Sequence, residues 1–397
     1  MMNPPAIIGV GRTKFGEHYD KDPEALIEEA GLEALDSAGL ERRHIECCFF
    51  SNYFLQLTNK VGLEEGFMSE LLELHVPMEN SRSFSSALFN AYHALMSGRF
   101  KIALVGGVEK LTDRWDKVRD DLMLLEDPWS YYAGGTPEAN HVLMLKQYVK
   151  QNKLGEAERM KLLTGLAKIS VKNHAYGAEN RYAHFYGRRI SVEEVIKARN
   201  PEPLGLYDFA PVSDGAAAAI VTTAELAKQY TDKPVYVKGF ASSTDFVSFA
   251  SRPDKIGFLS TRIAVSEALK MAHLYPTSIG LAEVYDQSTL MEMVALEDLG
   301  FIRKGKAWEI VYESLKGVKE PYSINGRKLY VNTSGGRKAD GNPLGASGGA
   351  QIYEVVKQLK GEAGPRQVDL DVAMGLVLEH EGFGTKAYVH ILEAGRP

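Results

Sequence analysis

The chain has 397 residues, 45% apolar and 25% charged, with a net charge of −6. This is globular composition with enough length for two or three domain-sized units, and its acidic balance leaves no basic footprint for nucleic acid. No apolar run reaches the roughly 18 residues of a membrane span. Met1–Gly11 lacks the charged head and long apolar stretch of a signal peptide, so a cytoplasmic location is expected.

In chain order, the first elements are an apolar strand at Ala6–Gly11 and a helix through Glu33-Ala34-Leu35-Asp36-Ser37-Ala38-Gly39-Leu40. A strand over Ile45–Phe50 holds the two cysteines, Cys47 and Cys48. Adjacent strand residues face opposite ways, so the pair cannot form an ordinary disulfide, and no spaced Cys/His set supports a metal. A buried helix over Ser85–Gly98 and an apolar strand over Ile102–Gly106 follow. Glu109–Asn200 is richer in charge and aromatics, with Trp115, Trp129, Tyr131 and Tyr132. It reads as helices and long loops laid over the core, where substrate contacts usually gather, and its His174 and His184 are expected to be solvated.

The order then repeats. Val235–Ala241 is a Gly-containing strand, and Glu267-Ala268-Leu269-Lys270-Met271-Ala272-His273-Leu274 echoes the first helix 234 residues later. A helix over Gly348–Gly361 and a strand over Val372–Leu378 match the second helix and the strand after it. Short apolar strands alternating with helical periods predict an α/β fold of two duplicated halves. The expected division is 1–108 with 201–234 for the N-terminal half, 109–200 for the insertion, and 235–397 for the C-terminal half.

Residues 331–351 carry six glycines in Val-Asn-Thr-Ser-Gly-Gly-Arg-Lys-Ala-Asp-Gly-Asn-Pro-Leu-Gly-Ala-Ser-Gly-Gly-Ala-Gln. The spacing predicts a sharp turn opening into an amphipathic helix, with Ile352, Val355, Val356 and Leu359 on one stripe. Free backbone N–H groups at such a helix start would suit an anion or a developing oxyanion.

This segment resembles the Asn-x-x-Gly-Gly…Gly-His-Pro-x-Gly-Ala-(Ser/Thr)-Gly segment of thiolases. Three further stretches resemble the same superfamily, in its archaeal and sterol-carrier-type branch. They are Ser213-Asp214-Gly215-Ala216-Ala217, Ala282-Glu283-Val284-Tyr285-Asp286-Gln287-Ser288, and the run Met78–Leu88 that carries the nucleophilic cysteine in the family. The resemblance implies a thiolase fold, two halves in five layers αβαβα. It also puts Ser81 at the cysteine, Tyr285 and Asn342 at the histidines, and Glu381-Gly382-Phe383-Gly384 at the C-terminal loop. The thiol and imidazole positions are therefore all changed.

A serine without a neighbouring base is a poor nucleophile. The resemblance thus implies thioester enolate chemistry of retro-aldol or Claisen type, as in Cys-lacking relatives that act as acyl-CoA aldolases. In that reading Tyr285 is the acid/base. Asn342 and the backbone N–H of Ser81 hold the thioester oxygen, and Glu381 or His380 assists proton transfer. Ser242, Ser243 and Gly384 are the expected contacts to a coenzyme A thioester, which is substrate rather than a resident cofactor, and no metal is expected. Two alternatives stay open: an acetyl-CoA acyltransferase whose reactive groups lie elsewhere or come from a partner, and a non-catalytic thiolase-like subunit. The branch implies a homodimer paired through Ile102–Gly107, and a small zinc-ribbon/OB-fold partner subunit.

Overall fold

The computed structural model describes residues 3–199, 203–371 and 373–395. The expected boundaries at Asn200 and Pro201, and Val372 of the last predicted strand, fall outside them. The first half runs β1 (Ala6–Arg12), α1 (Pro23–Ala38), β2 (Cys47–Ser51), β3 (Met78–Ser81), α2 (Phe84–Met96) and β4 (Ile102–Glu109). An insertion with α3 (Ala139–Gln151) and α4 (Glu156–Gly177) precedes β5 (Gly215–Thr222). The second half runs β6 (Val235–Thr244), α5 (Leu259–Ala272), β7 (Leu281–Glu283) and α6 (Thr289–Asp298). It continues through β8 (Tyr322–Ile324), β9 (Arg327–Val331), α7 (Leu344–Lys360), β10 (Met374–Glu381) and β11 (Lys386–Ala394).

Strand order exposes the duplication. The sheet runs β3-β2-β4-β5-β1 and then β6-β11-β10-β7-β9-β8. In the first half β3, β2 and β4 are parallel, and β5 is antiparallel to β4 and β1. The second half mirrors this with β9, β7 and β10 parallel and β11 antiparallel to β10 and β6. β1 and β6 join the halves at Ala6–Tyr236 and Ile7–Val235. One core lies under α1, a second under α5, and a third holds α2 and α7 between the halves. The layers are therefore α/β/α/β/α, as expected for the thiolase fold.

The repeated helix sequence has a packing cause. A Cβ on Gly9 would lie 2.4 Å from Ala34 O and 2.7 Å from the Ala38 Cβ. On Gly239 it would lie 2.3 Å from Ala268 O and 3.0 Å from the Ala272 Cβ. Each half brings its first helix onto a strand glycine, and the echoed alanines are the small residues that permit the approach.

Several sequence expectations are corrected by the fold. The Gly-rich stretch turns at Gly335, Gly336 and Gly341, which have positive φ, but α7 begins at Leu344, four residues before the expected Gly348, so Gly345, Gly348 and Gly349 are all helical. They are small because a Cβ on Gly345 would meet the Asn52 backbone at 2.7 Å, and one on Gly349 the Ala217 Cβ at 2.6 Å. β4 is flanked by β2 and β5, so Ile102–Gly107 is interior and cannot pair with a second copy; the outer strand of this half is β3. Ser242 and Ser243, expected as coenzyme A contacts, continue β6 opposite Tyr388 and Ala387. His174 is buried rather than solvated, its Nε2 3.2 Å from Lys338 Nζ, and His184 is half-buried, with its Nδ1 3.0 Å from Ser213 Oγ. No helix among the described residues is long and apolar enough to cross a membrane.

Candidate active site

A cavity of about 540 Å³ opens between the insertion and the start of α7. Trp115, Leu122, Leu125, Glu126 and His141 of the insertion form one wall, and Phe209–Val212, Gln287, Asn342 and Gly382 form the other. Asp214 anchors the start of the insertion. Fully buried, it accepts the N–H groups of Leu111 and Thr112 at 2.7 and 2.9 Å and pairs with Lys110 at 3.0 Å. This holds the insertion in fixed register over the sheet.

Tyr285 and Asn342 meet on the Asn342 side of the cavity. Tyr285 follows β7 in a turn held by Val284 N–H on Asn332 Oδ1 (2.8 Å) and Arg337 N–H on Asp286 Oδ1 (2.5 Å). Asn342 sits between Gly341, whose φ of 112° is a glycine conformation, and Pro343 at the start of α7. The Tyr285 hydroxyl donates to Asn342 Oδ1 at 2.9 Å, and Ser347 Oγ donates to the same oxygen at 2.8 Å. With Oδ1 taken by two hydroxyls, the amide nitrogen must be the other end, and it has no protein partner among the described residues. Asn342 lines the cavity, so this N–H pair is a donor available to a ligand. Tyr285 stands behind it, 2% exposed. Burial, reinforced by the charge of Glu379, pushes its phenol above the ordinary range, so it is a proton donor and not a phenolate.

Carboxylates occupy the helix starts that were expected to face a ligand. Glu379 accepts Ser85 N–H of α2 at 2.7 Å and Gly348 N–H of α7 at 3.0 Å. A Cβ on Gly348 would strike this carboxylate at 2.1 Å. Burial pushes Glu379 up to about 7 against these two bonds. Glu109 likewise accepts Gly345 N–H at 3.1 Å, with Tyr53 and Phe54 N–H both at 2.9 Å, and burial raises it to about 7. Sequence reading missed both residues. They come from strand ends far from the glycines, and no local pattern links them.

The remaining candidates divide. Glu381 accepts the hydroxyl of Ser83 at 2.8 Å, and Ser83 also caps α2. The hydroxyl facing the second half is thus that of Ser83, not Ser81. Ser81 ends the outer strand β3, where its carbonyl accepts Asn52 N–H at 3.3 Å and its hydroxyl accepts from Asn90 at 3.2 Å. The ring of His380 lies 6.2 Å from that of Tyr285, but Nε2 is engaged by Thr261 Oγ1 at 2.7 Å. Burial, with the charge of Arg252, pushes His380 down to about 3, so it is neutral. Ser242 and Ser243 lie in the β6–β11 ladder, and Gly384 O accepts Ser260 Oγ at 2.7 Å; none of the three lines the cavity. The cysteines sit in β2 with side chains in different cores, and burial raises both thiols to about 12. Neither provides a thiolate.

Of the motif positions, Asn342, Gln287 and Gly382 line the cavity, and comparison with known proteins gives the family. Residues 5–225 match the model of the thiolase N-terminal domain, and residues 241–394 that of the thiolase C-terminal domain-like family. The chain belongs to the thiolase family. It is 35% identical to the acetyl-CoA acetyltransferase of Methanothermobacter thermautotrophicus over 97% of this chain and 98% of that one. Identity to the acetyl-CoA acetyltransferase of Methanocaldococcus jannaschii is 34%, over 98% and 99%. Among solved structures it resembles the Ltp2-ChsH2(DUF35) aldolase with a TM-score of 0.79 at 21% identity, covering 99% of this chain and 98% of that one. In this thiolase-family member Asn342 lines the cavity, and Tyr285 is hydrogen-bonded behind it.

Proposed function

We propose that this thiolase-family chain acts on acyl-CoA thioesters, making or breaking a carbon–carbon bond by aldol-type chemistry without a cysteine nucleophile. The observation that carries the reading is the Tyr285–Asn342–Ser347 hydrogen-bonded group, which leaves the Asn342 amide free toward the cavity. In cleavage, the β-hydroxyl proton passes through the Tyr285 hydroxyl to the Glu379 carboxylate as the Cα–Cβ bond breaks, and it returns to Cα of the enolate to release the shorter acyl-CoA. The β-carbon becomes a carbonyl, and the electron pair moves onto the thioester oxygen. Asn342 stabilises that enolate oxygen, a task for a fixed neutral donor in a water-poor site. In the bond-forming direction, Tyr285 delivers the proton to the new alkoxide. Glu379, near 7, is a carboxyl matched to passing that proton on at neutral pH. Glu381 assists through Ser83, while His380, neutral and tied to Thr261, serves only to pack the ring of Tyr285.

Incubation with 3-hydroxyhexanoyl-CoA, followed by mass spectrometry, tests the reading. Appearance of acetyl-CoA with butanal supports it. Turnover only of 3-ketohexanoyl-CoA with free CoA would assign acyl transfer instead. One observation favours that second reading: the Ser83 hydroxyl donates to Glu381 at the start of α2, a serine beside a base.

The substrate is a coenzyme A thioester lodged against the insertion, with no resident cofactor, in a cytoplasmic enzyme. Assembly as a homodimer would use β3, whose outer edge is unpaired among the described residues. The Ltp2-ChsH2(DUF35) aldolase joins two components in its name, and a small partner subunit is proposed for this chain on that analogy alone.

A further inference from the structure

The insertion puts one polar group against the cavity that the chemistry above does not use. His141, on α3, is 4% exposed and lines the cavity wall. Its ring is gripped edge-on by Phe209 and Phe383, with centroids 5.4 and 4.6 Å away. Nδ1 lies 2.8 Å from Ser288 Oγ, the hydroxyl that caps α6 by accepting Met291 N–H. Among the described residues that hydroxyl has no acceptor other than His141 Nδ1, so it donates there, and the network assigns the ring proton to Nε2. Burial holds the imidazole neutral, its pKa pushed down to about 3.

Nε2–H has no protein partner among the described residues and is not sealed from the cavity, whose lining combines the apolar Val118, Leu122, Leu125 and Phe209 with the polar Glu126 and Gln287. A donor so placed is satisfied by water while the cavity is empty and by an acceptor oxygen of the ligand once the cavity is filled. The strip Phe209–Val212 bridges to Ser288 at one end and Asn342 at the other. These anchors are roughly 10 Å apart at the rise of an extended chain. The donor therefore faces a part of the ligand several bonds from a thioester carbonyl resting at Asn342.

We propose that His141 is a specificity-determining donor, whose Nε2–H reads a neutral acceptor oxygen of the bound thioester remote from the reacting carbonyl. Two parts of such a ligand supply that chemistry: an oxygen far along the acyl chain, or an amide carbonyl of the pantetheine arm. The inference rests on the acyl-CoA reading above.

The test is calorimetric binding of hexanoyl-CoA, 6-hydroxyhexanoyl-CoA and free CoA to the wild type, His141→Phe and His141→Gln. Phenylalanine keeps the ring packing and removes the donor, while glutamine keeps an N–H at similar reach. If the acyl chain is read, the wild type binds 6-hydroxyhexanoyl-CoA about 10-fold tighter than hexanoyl-CoA. His141→Phe then abolishes the preference, and His141→Gln retains part of it. If the pantetheine arm is read, His141→Phe weakens all three ligands by a common factor of about 10, partly restored in His141→Gln. Binding to both variants within twofold of wild type for every ligand overturns the inference alone. Failure of the wild type to bind any of the three overturns the acyl-CoA reading and this inference with it. Should His141→Phe not fold, the glutamine variant and Ser288→Ala, which frees the tautomer, carry the same comparison.

Discussion

The hydroxyl of Tyr285 donates to Asn342 Oδ1 at 2.9 Å, and this bond turns the asparagine amide toward the cavity. The two residues stand 57 positions apart, one after β7 and one before α7. In the proposed mechanism Tyr285 is thus both a proton donor and the group that orients the oxyanion donor.

Asn342→Ala removes the donor to the developing enolate. Turnover of a β-hydroxyacyl-CoA should fall by about 10²–10³-fold with little change in melting temperature. Steady-state kinetics with a thermal melt separates this from misfolding; unchanged turnover would exclude Asn342 from the chemistry.

Glu379 makes stability pH-dependent in a predictable direction. Its carboxyl is raised from 4.5 to about 7, chiefly by burial, so the folded protein holds a proton that the unfolded chain has released. That stabilisation is complete below about 4.5 and is lost as pH rises through about 7. Glu379→Gln cannot ionise and should gain on the order of 2 kcal/mol relative to wild type between pH 5 and pH 8. Denaturant unfolding at the two pH values checks it; a pH-independent difference would contradict the shift.

Gly239→Ala should destabilise the fold by about 1–3 kcal/mol, because the new methyl meets the Ala268 carbonyl of α5 and cannot be relieved by a side-chain rotation. Gly9→Ala should do the same at Ala34. Equal and additive losses in urea midpoint would support the two helix seats as equivalent, independent features.

Asn80→Pro tests assembly. Ser81 O is turned inward to β2, so the neighbouring Asn80 presents its N–H and carbonyl outward along β3. Proline there leaves the inner ladder intact and blocks outward pairing. Light scattering should show a dimer becoming a monomer, and an unaffected dimer would move the interface elsewhere.

The fold was readable because its evidence is repetitive. The helix echo, the glycine strands and four motif stretches each recur or fall in order, and the echo proves to be a packing requirement at Gly9 and Gly239. Of the candidate site, the sequence pointed to Tyr285 and Asn342 through chain-local motifs, and the fold brings these two into hydrogen-bond contact. Gly345 looks like part of the turn before the helix, since nothing local reveals the Asn52 backbone that forces this helical residue to be small. Ser81 and Ser83 are indistinguishable in a serine-rich run until Glu381, some 300 residues away, selects one. His141 belongs to no pattern at all; only tertiary packing brings it to Ser288.

The most direct test of a tyrosine-based, cysteine-free mechanism is the turnover of 3-hydroxyhexanoyl-CoA by Tyr285→Phe beside Ser83→Ala. Removing the phenol hydroxyl should lower the rate by about 10²–10⁴-fold. Removing the serine hydroxyl should lower it by less than about 10-fold, the scale of one hydrogen bond to Glu381. A dead Ser83→Ala enzyme beside a fully active Tyr285→Phe enzyme would contradict the account and place the chemistry on an acyl-serine.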